Sequence, residues 1–219
     1  MQKAPHNEVS PIEEHYSKKL PKQANTKLIK GFIVYLDEFL GKGQYGNVCI
    51  AKKASEAKDV NCKIYACKIM EVANIDKKEL ACIEKEVMIH NMLKSENSVK
   101  LYKSIKTSSN LYMMMDYCNG NDLQGFLKLR RHFTQVEVCL ILRQIIQACK
   151  EIWSYNIIHR DIKLANILMH FPENPEVNSM TKIEKLKFLK EFDLSSGKFK
   201  AVLSDFGLST ILEPGANNY

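Results

Sequence analysis

The chain has 219 residues, 45% of them hydrophobic and 26% charged, with a formal net charge of +7. That composition excludes wholesale disorder and suits one or two compact domains with a sizeable core. No apolar run approaches the roughly 18 residues of a spanning helix. The start, MQKAPHNEVSP, lacks the apolar centre of a secretory signal, and the seven cysteines form no CxxC pair. The chain therefore reads as a soluble cytoplasmic protein with reduced thiols and no membrane partner. Its lysines are spread along the whole length and mixed with acids, which describes a solvated surface rather than a nucleic-acid interface.

Residues 1–29 are polar, contain Pro5, Pro11 and Pro21, and read as a tail with a short helix near 12–20. From Gly31 the pattern changes to strands. GFIVYLDEFLG and YGNVCIAKKA read as two strands joined by a glycine-rich turn, and CKIYACKIM as a third. The turn runs Leu40-Gly41-Lys42-Gly43-Gln44-Tyr45-Gly46-Asn47-Val48 and contains GxGxxG. Glycines there let backbone N–H groups approach phosphates without side-chain obstruction. A dinucleotide fold would open a helix at this turn, but Val48-Cys49-Ile50 continues as a strand.

In Tyr65-Ala66-Cys67-Lys68 the period of two puts Ala66 and Lys68 on one face. A lysine facing inward from an apolar strand needs an opposing charge. The next helix, over 76–94 with Leu80, Ile83, Val87 and Leu93 at helical spacing, offers Glu86, with Glu84 as its rival. Strands near 99–105 and 110–115 complete a five-stranded antiparallel α+β unit around one helix. After Asn119-Gly120 helices are expected over 122–130 and 135–155. Thr134 and Glu137 form a capping box for the second, and Val138, Ile141, Ile145, Ala148 and Ile152 mark its buried stripe.

Two further segments carry chemistry: Ile157-Ile158-His159-Arg160-Asp161-Ile162-Lys163-Leu164-Ala165-Asn166-Ile167-Leu168, and Ser204-Asp205-Phe206-Gly207. Together with the glycine-rich turn and the strand lysine, and in the same order, they resemble the signature set of eukaryotic-type protein kinases. The resemblance runs from Gly41 to Gly207. It implies a bilobal α+β fold with a five-stranded N-lobe over 30–115 and a mainly helical, incomplete C-lobe over 116–219. It also implies ATP and Mg2+ as cofactors and a protein as substrate.

Residue by residue, the resemblance implies that Lys68, held by Glu86, grips the α- and β-phosphates. Asp205 and Asn166 would hold magnesium, Asp161 would orient the substrate hydroxyl, and Lys163 would neutralise the γ-phosphate. The glycine-rich residues Gly41, Lys42, Gly43, Gln44, Tyr45, Gly46 and Asn47 would cover the phosphates. Leu40, Val48, Ala66 and Leu168 would sandwich the adenine ring. Met115 would stand as gatekeeper, backbone groups of Asp116 and Cys118 would meet the adenine edge, and Asp122 would meet the ribose. Lys163 in HRDIKLAN matches the serine/threonine pattern. Tyr117-Cys118-Asn119-Gly120-Asn121-Asp122-Leu123 resembles the hinge of unc-51-like, autophagy-initiating kinases.

The sequence departs from the family at three places. Asn166 and Asp205 lie 39 positions apart, so about 25 residues are inserted within 171–200 relative to the family's spacing. Thr181 and Glu184 mark a helix start there, with Ile183, Leu186, Leu189 and Phe192 as an apolar edge. The insertion reads as a surface excursion on the large lobe, and a regulatory partner docking on it is the sharper alternative. His90 falls where the family has an apolar residue of its regulatory spine, whose other positions read Leu101, Phe206 and His159. Only twelve residues follow Gly207, with Ser209, Thr210 and Tyr219 as hydroxyls, so a chain ending there is expected to be catalytically silent. The leading reading is a protein serine/threonine kinase. A nucleotide-binding module regulating a partner, and a small-molecule kinase of related fold, are the alternatives.

Overall fold

The computed structural model describes residues 25–43, 46–59 and 61–213. The expected helix over 12–20 lies outside them. A six-stranded antiparallel sheet forms the smaller lobe, in the order β1-β2-β3-β4-β6-β5. Its strands are β1 (Thr26–Ile29), β2 (Phe32–Gly43), β3 (Gly46–Lys53), β4 (Ile64–Glu71), β5 (Leu101–Lys106) and β6 (Asn110–Asp116).

The first strand corrects the expectation of a tail through residue 29. β1 folds onto β2 through Lys30 and Gly31, at φ 41° and 91°. Two successive positive φ values define the hairpin turn whose twist matches its strands, and glycine at the second position makes it accessible. Four residues between polar neighbours show too little alternation to be read as a strand. Lys27 donates to the Tyr112 hydroxyl at 2.7 Å. Four strand spacings would separate β1 from β6 by about 19 Å in a flat sheet, so the sheet curls. It encloses Ile29, Phe32, Val34, Tyr65, Cys67 and Met114 on one face.

The other face packs against α1 (Lys77–Met92), capped by the Asp76 carboxylate, which accepts from the Lys78 and Glu79 amides. Ile83 of α1 joins Met70, Leu101, Met113 and Met115 there. The loop leaving α1 is fastened to the larger lobe. Leu203 donates to the Asn97 carbonyl at 2.7 Å, Val99 donates to the Leu203 carbonyl at 2.9 Å, and Glu151 accepts from the Ser95 amide at 2.7 Å.

The larger lobe is built on α2 (Leu123–Arg130) and α3 (Gln135–Ser154), with two-stranded antiparallel sheets formed by β7 (Ile157–Ile158) with β10 (Thr210–Ile211) and by β8 (Ile167–His170) with β9 (Lys200–Leu203). The Thr134–Glu137 capping box is present. Ile141, Ile145, Ala148 and Ile152 are buried, whereas Val138 is exposed, because the stripe starts one turn later than expected.

The insertion is not a surface excursion. Its helix α4 (Lys182–Glu191) begins at the Thr181–Glu184 capping box. Phe171, Leu189, Leu194 and Phe199 enter the main core. The Phe171 ring stacks on Phe126 at 6.3 Å and packs against Phe188 and Phe192 at 5.3 and 4.5 Å. Of the expected apolar edge, Ile183 and Leu186 face solvent instead. A Lys- and Glu-rich composition hid the few large apolar residues that direct the segment inward. Phe171→Ala should lower unfolding free energy by about 3–5 kcal/mol, whereas Ile183→Ser should change it by no more than about 0.5 kcal/mol. Urea unfolding of both variants checks this, and equal effects would contradict a core role for the insertion.

Candidate active site

Strand register sets the first half of the site. Lys68 on β4 stands beside Val48 of β3 and Met113 of β6, and Ala66 stands opposite Met115. The inward face of α1 presents Ile83, Glu86, Ile89 and His90. Lys68 Nζ meets Glu86 Oε1 at 2.6 Å, with side chains 4% and 1% exposed. Glu84, the rival, pairs instead with Lys106 at the surface. Burial raises the Glu86 pKa, and Lys68 opposes that rise. Lys68 also reaches Asp205 Oδ1 at 3.4 Å, which joins the small lobe's charge to the large lobe's.

The second half comes from the segment after β7. Asp161 Oδ2 accepts from Lys163 at 2.7 Å and from Asn166 at 2.8 Å. The hydrogen bond from Lys163 is the main reason its pKa is lowered, so Asp161 is a carboxylate at neutral pH. Both bonds fall on one oxygen. Asn166 also donates to the Asp161 carbonyl at 2.9 Å, so its amide nitrogen is committed to the loop and its oxygen is the end left for a cation. Arg160 and Asp205 have φ values of 66° and 61°. Neither is glycine, so the backbone is strained in both large-lobe segments that carry site residues.

In the glycine-rich hairpin Gly41, Lys42 and Gly43 of β2 lie opposite Val48, Asn47 and Gly46 of β3. A Cβ at Gly46 would overlap the Ile69 carbonyl on β4, so this position cannot take another residue without moving the strand. Gln44 and Tyr45 lie outside the described residues. Leu40 is exposed, while Cys118 and Leu168 pack against the cluster holding Met115. Burial pushes the Cys118 thiol up to about 12. Asp122 is committed in part to structure, since its Oδ1 accepts from the Gly125 amide at 2.8 Å as the cap of α2. Asn119, which the sequence did not single out, is buried and accepts from the Phe171 amide at 2.8 Å. Its amide group donates to the Phe171 and Asn174 carbonyls, tying the chain after β6 to the insertion.

Residues 35–219 match the family model described as the protein kinase domain. The chain belongs to that family. It is 34% identical over 139 residues to serine/threonine-protein kinase pakG of Dictyostelium discoideum, a stretch covering 63% of this chain and 11% of that protein. It is 39% identical over 141 residues to calcium-dependent protein kinase 5 of Plasmodium berghei, 61% of this chain and 23% of that protein. It is also 39% identical over 108 residues to human serine/threonine-protein kinase ULK1, 48% and 10% respectively. The chain thus spans less than a quarter of the length of these relatives.

The Phe206 ring lies between His90 and His159, at 5.0 and 4.8 Å. His159 accepts from the Asp161 amide on Nδ1 and faces the Ser204 carbonyl with Nε2, so Nε2 carries its hydrogen. His90 Nδ1 lies 3.1 Å from the Val99 carbonyl, which can only accept, so Nδ1 is the donor. Ser209, one of the hydroxyls after Gly207, is buried and donates to the His159 carbonyl. Arg160 donates to the Leu208 carbonyl at 2.6 Å. Tyr219 lies outside the described residues.

Burial is the main cause that lowers the His90 pKa, to about 4, below the roughly 6.5 of an unfolded histidine. Between those values the unfolded chain binds more protons. The stability His90 lends is therefore complete above about pH 6.5 and falls by about 3 kcal/mol as pH drops towards 4. His90→Leu should remove that share of the pH dependence. Unfolding midpoints of both forms between about pH 7 and pH 5 check this, and parallel profiles would overturn it. Glu86, whose raised pKa acts in the opposite sense, lies 3.9 Å from His90 Nε2, so Glu86→Gln is compared in the same pH series.

Proposed function

We propose that this chain carries the catalytic apparatus of a protein serine/threonine kinase, which transfers the γ-phosphoryl group of ATP to a hydroxyl of a protein substrate. The observation that carries the reading is the convergence of the Lys68–Glu86 pair, Asp205 and the Asp161–Lys163–Asn166 cluster on one cleft. Serine/threonine specificity is supported by Lys163 in the HRDIKLAN segment and by the similarity to serine/threonine-protein kinases of Dictyostelium discoideum and human. A cytoplasmic setting accompanies this reading.

The residues fit both cofactors. Among the described residues no group of three or more His, Cys, Asp and Glu forms a closed metal cage. Mg2+ does not need one, because it is bound through one or two protein oxygens together with phosphates and water. The Asp205 carboxylate, 28% exposed, and the Asn166 side-chain oxygen are such donors. Lys68 is the cation for the α- and β-phosphates, and the Gly41–Gly46 hairpin is the cover over them. Bound Mg-ATP supplies the transferable phosphoryl group.

What the chain itself contributes is position and charge. Lys68 is held rigid by Glu86, so it meets phosphate oxygens without first losing side-chain freedom. Asp161 is ionised, and its Oδ1 is the oxygen that takes neither internal bond, so it can orient and accept the proton of a substrate hydroxyl. Such a role is worth about 10²–10⁴-fold. Lys163, bonded to the same carboxylate, would neutralise charge developing on the transferring group. No helix among the described residues is long and apolar enough to cross a membrane.

Three variants test the assignments. Lys68→Met should abolish transfer yet retain much of the nucleotide affinity. Asp161→Asn should bind Mg-ATP and fail in transfer, whereas Asp205→Asn should lose the magnesium dependence of nucleotide binding. Calorimetric titration with and without Mg2+, beside a peptide phosphorylation assay, separates them. Wild-type turnover by Lys68→Met, or identical magnesium responses in the two aspartate variants, would contradict these roles. All three variants are made in a chain extended beyond residue 219, where nucleotide binding by the wild type without any transfer would favour a regulatory nucleotide-binding module instead.

A further inference from the structure

This inference rests on the adenine-site reading above, in which Asp116 and Cys118 meet the base only through backbone groups. The Asp116 side chain has no part in that contact, because alternation along β6 turns it to the opposite face from Met115. Yet it is bound on both oxygens. Oδ1 accepts from the Tyr102 hydroxyl at 2.5 Å, and Oδ2 accepts from the Lys100 amide at 3.2 Å. Lys63 donates to the same Tyr102 oxygen at 2.6 Å, lies 4.0 Å from Asp116 Oδ1, and stands 4.0 Å over the Tyr102 ring. Tyr65, the register partner of Asp116 on β4, packs edge-on to that ring at 5.3 Å. The Asp116 amide itself donates to the Lys100 carbonyl at 3.0 Å.

β6 ends at Asp116, and the next fixed point is Asn119, bonded to Phe171 and Asn174. The backbone of Tyr117 and Cys118 therefore runs between two clasps, with the Cys118 side chain packed on the cluster holding Met115. The direction in which backbone groups point over so short a span depends on how its ends are held. A base recognised edge-on requires that direction to be narrow, within about 10–20°. Burial, then the neighbouring Asp116 carboxylate, raise the Tyr102 pKa, so the phenol stays a donor throughout the physiological range.

We propose that Tyr102, assisted by Lys63, is a positioning residue for adenine recognition: it clasps the Asp116 carboxylate on the face of the sheet opposite Met115 and thereby fixes the backbone groups of Asp116 and Cys118. The competing account is a partly exposed surface network of little energetic weight. The two differ in what they do to the base and to the phosphates. Tyr102→Phe keeps the ring and its packing on Tyr65 and removes only the hydroxyl.

The test uses the full chain, wild type and Tyr102→Phe, titrated with adenosine and, separately, with magnesium tripolyphosphate. Amide hydrogen exchange at Tyr117 and Cys118 is followed without ligand. Adenosine affinity should fall about three- to tenfold, the loss of one charge-assisted hydrogen bond. Tripolyphosphate affinity should stay within about twofold, because Lys68 and the glycine-rich hairpin are untouched. Exchange at the two amides should rise. Unchanged adenosine affinity, or an equal loss for both probes, would overturn the proposal. If the wild type bound neither probe, the adenine-site reading itself would have failed. Exchange would then decide the clasp alone, and equal exchange in the two proteins would overturn it.

Discussion

The buried pair between Lys68 and Glu86 is the constraint on which the rest of the structure depends. Removing two ions from water costs several kcal/mol each, and their attraction at 2.6 Å offsets that cost only when geometry and neighbouring hydrogen bonds are good. Here the neighbours are incomplete, since Glu86 Oε2 has no hydrogen-bond partner among the described residues. Such a pair is poorly explained as a source of stability. It is better explained as a device of position, because it can form only when α1 sits at one height against the sheet. Three features set that height: the Asp76 cap, the Ile83 and Ile89 contacts, and the bond from His90 to the Val99 carbonyl.

From there the constraint passes to the larger lobe. The loop after α1 is stitched to β9 and α3 through Asn97, Val99 and Glu151, so the helix bearing Glu86 is referenced to the segment bearing Asp205. Phe206 locks the same junction between two histidines. The strained backbones of Arg160 and Asp205 each cost on the order of 1–3 kcal/mol. They persist because Phe206, His159 and Ser209 are buried around them and fill the space that relaxation would need.

The insertion alters this arrangement without disturbing it. By placing Phe171, Leu189 and Leu194 in the core beside Phe126, it becomes part of the wall on which α2 rests. Through Asn119 it also anchors the far end of the connection between the lobes. A segment first visible as an interruption of motif spacing thus supports the cleft from behind. Of the expected apolar edge, Leu189 and Phe192 pack inward and only Ile183 and Leu186 face outward.

What the amino-acid sequence by itself determined was the chemistry and the local elements. The period of two around Ala66 and Lys68, the capping boxes at Thr134 and Thr181, and the order of the four motifs are local or near-local patterns, and each forms as its residues imply. Only the tertiary structure decided which acid meets Lys68. Glu84 and Glu86 are two apart on one helix, and their faces are settled by what packs on α1. It likewise decided that residues 26–29 are a strand, since four residues become one only when a partner strand and a permissive turn are present. The inward course of the insertion, the neutral histidine in the spine and the tyrosine clasp on Asp116 all arise from contacts across 14 to more than 100 positions. No pattern within a single helix or strand encodes them, because their energy comes from burial and pairing that exist only once segments distant in the chain have packed together.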